Sequence, residues 1–166
     1  QTDDGLVLTR TISVDNHFMF TVTDRIQNAT PADVNVSQFG RITRVNEPDT
    51  LGFFILHEGP IGILDDTLHE IDYDDLEDEP ETPQDFKSEG GWLGFTDIYW
   101  LTALIPDQDK EVNARFLFDT TRSGANLYQS DYRGAAIVLA SGESAEVTAR
   151  FFAGAKVFNL LTDYRD

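Results

Sequence analysis

Three histidines, His17, His57 and His69, are the side chains of this sequence best suited to proton transfer near neutral pH. None stands at a metal-ligand spacing such as His-Glu-x-x-His. His57-Glu58-Gly59-Pro60 puts a base beside an acid, but neighbouring strand residues point to opposite faces. The pair therefore reads as a strand end bonded to a turn rather than as a catalytic couple. Asp72-Tyr73-Asp74-Asp75 resembles the start of a calcium loop, yet Glu77 holds the sixth place, which needs Gly, and Pro83 the twelfth, which needs Glu. The acidic stretch 72–85 is thus a solvated loop or, at most, a loose cation binder. Cysteine is absent, which removes thiolate nucleophiles, zinc–thiolate sites and disulfides. No serine sits in a Gly-x-Ser-x-Gly elbow, and Gly90-Gly91-Trp92-Leu93-Gly94 lacks the Lys-Ser/Thr of a phosphate loop. The residues indicate no catalytic, cofactor or metal site.

What remains is surface chemistry. The 166 residues carry 12 Lys and Arg against 30 Asp and Glu, a formal charge of −18. Such a charge repels phosphate, so nucleic acid is an unfavourable partner, and it keeps a domain soluble. An apolar content of 40% suffices for one domain with a packed core. The longest uncharged apolar runs, near 98–106 and 134–142, fall short of the roughly 18 residues that suggest a membrane span. The first residues, Gln1-Thr2-Asp3-Asp4, do not begin a secretion signal. Because the chain starts almost at once in a strand pattern, the natural polypeptide is expected to be longer.

The elements follow from periodicity. Leu8, Arg10, Ile12 and Val14 alternate with Thr9, Thr11 and Ser13; after Asp15-Asn16, Phe18, Phe20 and Val22 alternate with Met19, Thr21 and Thr23. Two alternating runs across a polar turn predict a β-hairpin. Val34 and Val36 resume the pattern after Pro31, whereas Phe39-Gly40-Arg41-Ile42 fits either a continued sheet or a turn out of it. Phe53-Phe54-Ile55-Leu56-His57 predicts a strand covered on both faces. Residues 61–64 and 67–73 flank Asp65-Asp66 as a second hairpin, and 72–85 forms an exposed loop with at most one helical turn. Residues 112–118, 127–132, 135–139 and 143–152 read as further strands.

Between them lies the segment Trp92, Phe95, Ile98, Tyr99 and Trp100, opened by Gly90-Gly91. A double glycine lets the backbone adopt φ > 0 or approach another strand, and the rings behind it are expected to anchor the core. Only the end changes period: Val157, Leu160, Leu161 and Tyr164, at i, i+3, i+4 and i+7, form the stripe of an amphipathic helix over 155–164. Many short strands and one terminal helix, without repeat or linker, predict an all-β, mainly antiparallel sandwich or twisted sheet pair in a single domain over 1–166.

Several blocks then resemble one family. They are Phe20-Thr21-Val22-Thr23-Asp24-Arg25, Phe54-Ile55-Leu56-His57-Glu58-Gly59-Pro60-Ile61-Gly62, residues 90–108, Tyr128-Gln129-Ser130-Asp131-Tyr132 and Phe152-Ala153-Gly154-Ala155-Lys156. In order and spacing they are similar to the periplasmic domain of the bacterial membrane protein insertase family YidC, in its alphaproteobacterial branch. Ile98 stands where that family leads one to expect lysine, and Asp66 where glycine is common. The resemblance implies a β-supersandwich like that of galactose-mutarotase and sugar-binding folds, with the terminal helix leading toward a membrane span. It implies a non-enzymatic domain on the periplasmic side of the inner membrane, with nascent membrane proteins and the Sec translocon (SecYEG and SecDF) as partners and no cofactor. It also implies earlier strands before Gln1, and leaves open whether a sheet edge is uncovered. For a partner surface the stripe Val157, Leu160, Leu161 and Tyr164 is the candidate, with ordinary packing of the helix as the competing reading. Two alternatives stay in view: a mutarotase-like carbohydrate site, needing a histidine and a carboxylate in a groove walled by Trp92 or Trp100, and a groove that holds extended peptides.

Overall fold

A computed structural model describes residues 5–48, 56–80 and 82–157. Their order is β1 (Leu6–Val14), β2 (Met19–Asn28), β3 (Val34–Val36), β4 (Phe39–Val45), β5 (Gly59–Leu64), β6 (Thr67–Glu70), α1 (Tyr73–Asp78), β7 (Gln84–Glu89), β8 (Trp92–Thr96), β9 (Trp100–Ile105), β10 (Glu111–Thr120), β11 (Asn126–Gly134), β12 (Ile137–Leu139) and β13 (Ser144–Ala155). A seven-stranded sheet runs β1-β2-β13-β9-β8-β5-β6, a four-stranded sheet β4-β11-β10-β7, and β12 pairs with β3 in a small side ribbon. Neighbouring strands are antiparallel throughout. The expected all-β sandwich is therefore present, and its sheets stay open at their edges.

Strand alternation makes the core. Leu93, Phe95 and Leu104 of the larger sheet meet Ala114, Phe116, Tyr128 and Tyr132 of the smaller one, all buried. Ser130 Oγ donates to the Gly94 carbonyl at 3.1 Å and ties the two layers together. Gly90 and Gly91 take φ of 65° and 84°, the left-handed turn that the double glycine allows. Asp65 and Asp66 also have positive φ, 50° and 56°, which makes the β5–β6 connection a two-residue turn with both central residues left-handed. Glycine would fit that geometry with less strain, which accounts for its expected place at position 66.

Four expectations need correction. The aromatic segment anchors the core through Leu93, Phe95 and Leu104, but Tyr99 and Trp100 are 69% and 59% exposed. Trp100 shares a face with Thr102 and Leu104 yet pairs with Ala155, the last residue of β13, so the sheet offers it no further cover. The acidic stretch is more than a loop, because α1 buries Tyr73 and Leu76, at i and i+3, against Tyr128 and the core, and β7 begins at Gln84. The strand expected over 135–139 shrinks to Ile137–Leu139. Of the expected strand 53–57, residues 53–55 lie outside the described residues, and Leu56 and His57 are not in a strand.

Phe39-Gly40-Arg41-Ile42, open in the sequence, belongs to β4, an edge strand of the smaller sheet. The terminal helix falls mostly outside the described residues. Ala155 still belongs to β13, Lys156 and Val157 have no regular structure, and Leu160, Leu161 and Tyr164 are not described.

Candidate functional site

The two sheets differ in width, and that difference opens a cleft. Cross-strand register puts Arg10, Ile12 and Val14 of β1 beside Asp24, Val22 and Phe20 of β2. Phe20 and Val22 in turn lie beside Phe151 and Ala149 of β13. This apolar face extends past the smaller sheet, whose edge strand β4 brings Phe39, Gly40 and Ile42 to the opposite wall. The result is a cleft of about 480 Å³ with Tyr132 among its lining residues. Among the described residues β1 and β4 are both outermost strands of their sheets.

Local chemistry holds the walls in place. The Phe20 and Phe151 rings lie 5.9 Å apart, a packing distance for tilted aromatics. Gly40 is required for close approach, since a Cβ there would stand 2.4 Å from a Tyr132 ring carbon. The polar part of the cleft is a bidentate ion pair together with Gln38, Arg41 and Arg150: Arg10 Nε and Nη2 each donate to Asp24 at 2.7 Å. Asp24 is buried while Arg10 remains half exposed, so the arginine covers the carboxylate and its outer edge faces solvent. That hydrogen bond raises the Arg10 pKa, and burial pushes the Tyr132 hydroxyl up to about 12, with the Asp24 charge adding to it. At neutral pH the lining thus holds an apolar floor, a neutral phenol, the Arg10–Asp24 pair and two further arginines, Arg41 and Arg150. Such a surface can bind an apolar chain; it holds no group poised for proton transfer.

The residues singled out from the sequence lie elsewhere. His57 Nε2 bonds the Pro60 carbonyl at 2.9 Å, with Asp72 at 3.6 Å from Nδ1. Glu58 accepts from the Ile98 amide at 3.2 Å, so the two neighbours serve separate structural bonds. His69 packs on Phe86 with ring centroids 4.4 Å apart, and the His17 amide donates to Asp15. Neither tryptophan and none of the histidines lines the cleft. Among the described residues no three His, Asp or Glu side chains come together as metal ligands. Val157 of the predicted partner stripe is exposed just beyond β13, and its three companions lie outside the described residues.

Sequence reasoning missed the Arg10–Asp24 pair. Its signal was a charge of each sign at facing positions of an otherwise apolar hairpin face, which only the register makes visible. Two similar pairs were missed for the same reason. Arg115 Nε donates to buried Asp131 at 2.8 Å, and Arg44 pairs with Asp97 at 2.9 Å while also bonding the Tyr73 hydroxyl.

Comparison with known proteins adds what geometry alone does not. The model of the YidC periplasmic domain family matches residues 1–166. The membrane protein insertase YidC of Sinorhizobium medicae is 45% identical over 163 residues, 98% of this chain and 27% of that protein. That of Beijerinckia indica is 42% identical with the same coverage. The protein of Ruegeria sp. is 37% identical over 168 residues, 96% of this chain. The chain therefore spans about a quarter of the length of the relatives it matches.

Proposed function

The chain belongs to the YidC periplasmic domain family, and from that membership we propose a positional role on the periplasmic side of the inner membrane. It holds and orients parts of a membrane protein insertase, and makes or breaks no covalent bond. The whole-chain family match is the observation that carries this reading. The cleft supports it, because an apolar floor between two outermost strands suits an extended apolar polypeptide, which buries its side chains there. The occupant of the cleft in this reading is an apolar segment of a nascent membrane protein.

Partners of the Sec translocon, SecYEG and SecDF, belong to the same proposal. The stripe Val157, Leu160, Leu161 and Tyr164 is its second element, fixing the angle at which the domain joins the membrane-embedded part of the insertase. Two experiments test these parts separately. Leu160→Ala with Leu161→Ala, in the full-length insertase, is expected to slow insertion of a dependent substrate while the domain stays folded; unchanged insertion with unchanged folding removes the stripe from the proposal. A photo-crosslinker at Val22 is expected to capture stalled nascent chains. If it captures only other parts of the insertase itself, the cleft is an internal joint rather than a substrate surface.

A further inference from the structure

The two ends of the seven-stranded sheet are built from different chemistry. At one end, buried Asn28 donates from Nδ2 to the carbonyls of Ala32 and Leu139, and Ser141 and Glu143 surround it with polar turns. At the other end sits the β8–β9 turn, Asp97-Ile98-Tyr99, leading into Trp100. Its backbone is tied at three points: the Asp97 amide donates to the Trp100 carbonyl at 3.0 Å, the Ile98 amide to Glu58, and the Lys156 amide to the Tyr99 carbonyl at 2.8 Å. Arg44 holds Asp97, and Lys156 Nζ donates to Thr96 Oγ1 at 2.9 Å. The turn is thus held by several bonds, and Tyr99 and Trp100 are nonetheless mostly exposed.

They are not alone. Phe18, in the adjacent β1–β2 turn, accepts from the Ala153 amide at 3.3 Å and is 54% exposed, and Val157 is exposed beside them. Four large apolar or aromatic side chains, two of them Tyr99 and Trp100, are thus exposed at one end of the domain, where the opposite end exposes Val138 among polar turns. Trp and Tyr combine an apolar ring with a polar edge and concentrate where hydrocarbon meets water, and lysine beside them keeps its amine in the wet layer. The chain also leaves β13 at this end, and the family places the domain against the inner membrane.

We propose that this end, Phe18 and Val157 with Tyr99 and Trp100, rests in the lipid–water interface of the bilayer, so that the domain stands on its β8–β9 turn with the Ser141 end pointing away. The occupant is the lipid interface rather than a protein surface, because the chain leaves β13 at this end and the exposed side chains are the Trp and Tyr of a hydrocarbon–water boundary. Arg44 meanwhile bonds Asp97 Oδ2, and the Ile98 amide bonds Glu58. Glu47, Asp74 and Glu77 stand behind them; burial first, then these neighbours and Glu58, raise the Glu47 pKa. This acidic surround, in a chain of charge −18, makes the docking one of ring burial, opposed by anionic lipid.

The test uses the full-length protein reconstituted in phosphatidylcholine vesicles, with a single fluorescent label on Tyr99→Cys or on Ser141→Cys. Both positions are exposed, and the 12-residue strand β13 separates the two ends by about 35 Å at the usual rise per strand residue. With a nitroxide placed near the lipid headgroup, the label at 99 is expected to lose emission while the label at 141 keeps it. The loss is expected to shrink when Trp100→Ser is added, or when phosphatidylglycerol replaces part of the phosphatidylcholine. Equal quenching at both positions overturns the proposal. So does a label at 99 that is shielded from aqueous iodide yet untouched by the nitroxide lipid, since a protein would then cover the turn.

Discussion

One face of the seven-stranded sheet passes through two environments, and the same alternation gives opposite outcomes in them. Over β8 and β9 the four-stranded sheet lies across it, and Leu93, Phe95 and Leu104 are buried. Over β1 and β2 the smaller sheet has ended, and Ile12 and Val14 stand mostly in solvent although they follow the same rule of alternation. What differs is the second layer. Burial belongs to a residue's place between layers rather than to its type, so an apolar position on the open side contributes little to folding and remains available for binding.

Several outcomes test that contrast. Phe116→Ala, at a position with no exposure, is expected to cost about 3–5 kcal/mol in urea unfolding through lost burial and the cavity left behind. A cost under about 1 kcal/mol there would mean that the sheets are not packed as described. Next comes Asp131→Ala, which removes the carboxylate that Arg115 and Gln129 both bond; about 1–3 kcal/mol is expected, the scale of lost hydrogen bonds to a charged group. A third outcome concerns alkaline pH. Tyr128 and Tyr132 are both pushed up to about 12, chiefly by burial, and the Tyr128 hydroxyl donates to Glu77. Between pH 10 and 12 the unfolded chain loses these protons before the folded one does. Stability is thus whole below pH 10 and falls as pH rises toward 12. Tyr132→Phe should flatten that fall in a series of unfolding curves, and an unchanged slope would count against a buried phenol. The smallest effect belongs to the open side: Ile12→Ala, at 61% exposure, should shift unfolding by no more than about 0.5 kcal/mol. A larger cost there would show that something covers the cleft.

Much of the fold was legible because strand periodicity is local. The two strands of the β1–β2 hairpin follow from two alternating runs, and so do β10, β11 and β13; their register does not. The family blocks were legible too, and the whole-chain match agrees with them. The cleft was not, since its two walls come from residues near 10–24 and 38–42 that only packing brings together. The acidic stretch misled because its charges outnumber Tyr73 and Leu76, the two side chains that decide where α1 goes.

By itself the sequence determined the alternating strands of the main hairpins, the lack of cysteine chemistry and the strongly acidic surface, because each is set by residue type and spacing along the chain. Tertiary structure alone decided which apolar faces are covered, which acids are matched by arginines, and that Tyr99 and Trp100 stand at a free end instead of in the core. The reason is that exposure depends on the width and offset of a second sheet, and no stretch of alternating residues carries a record of what will lie across it.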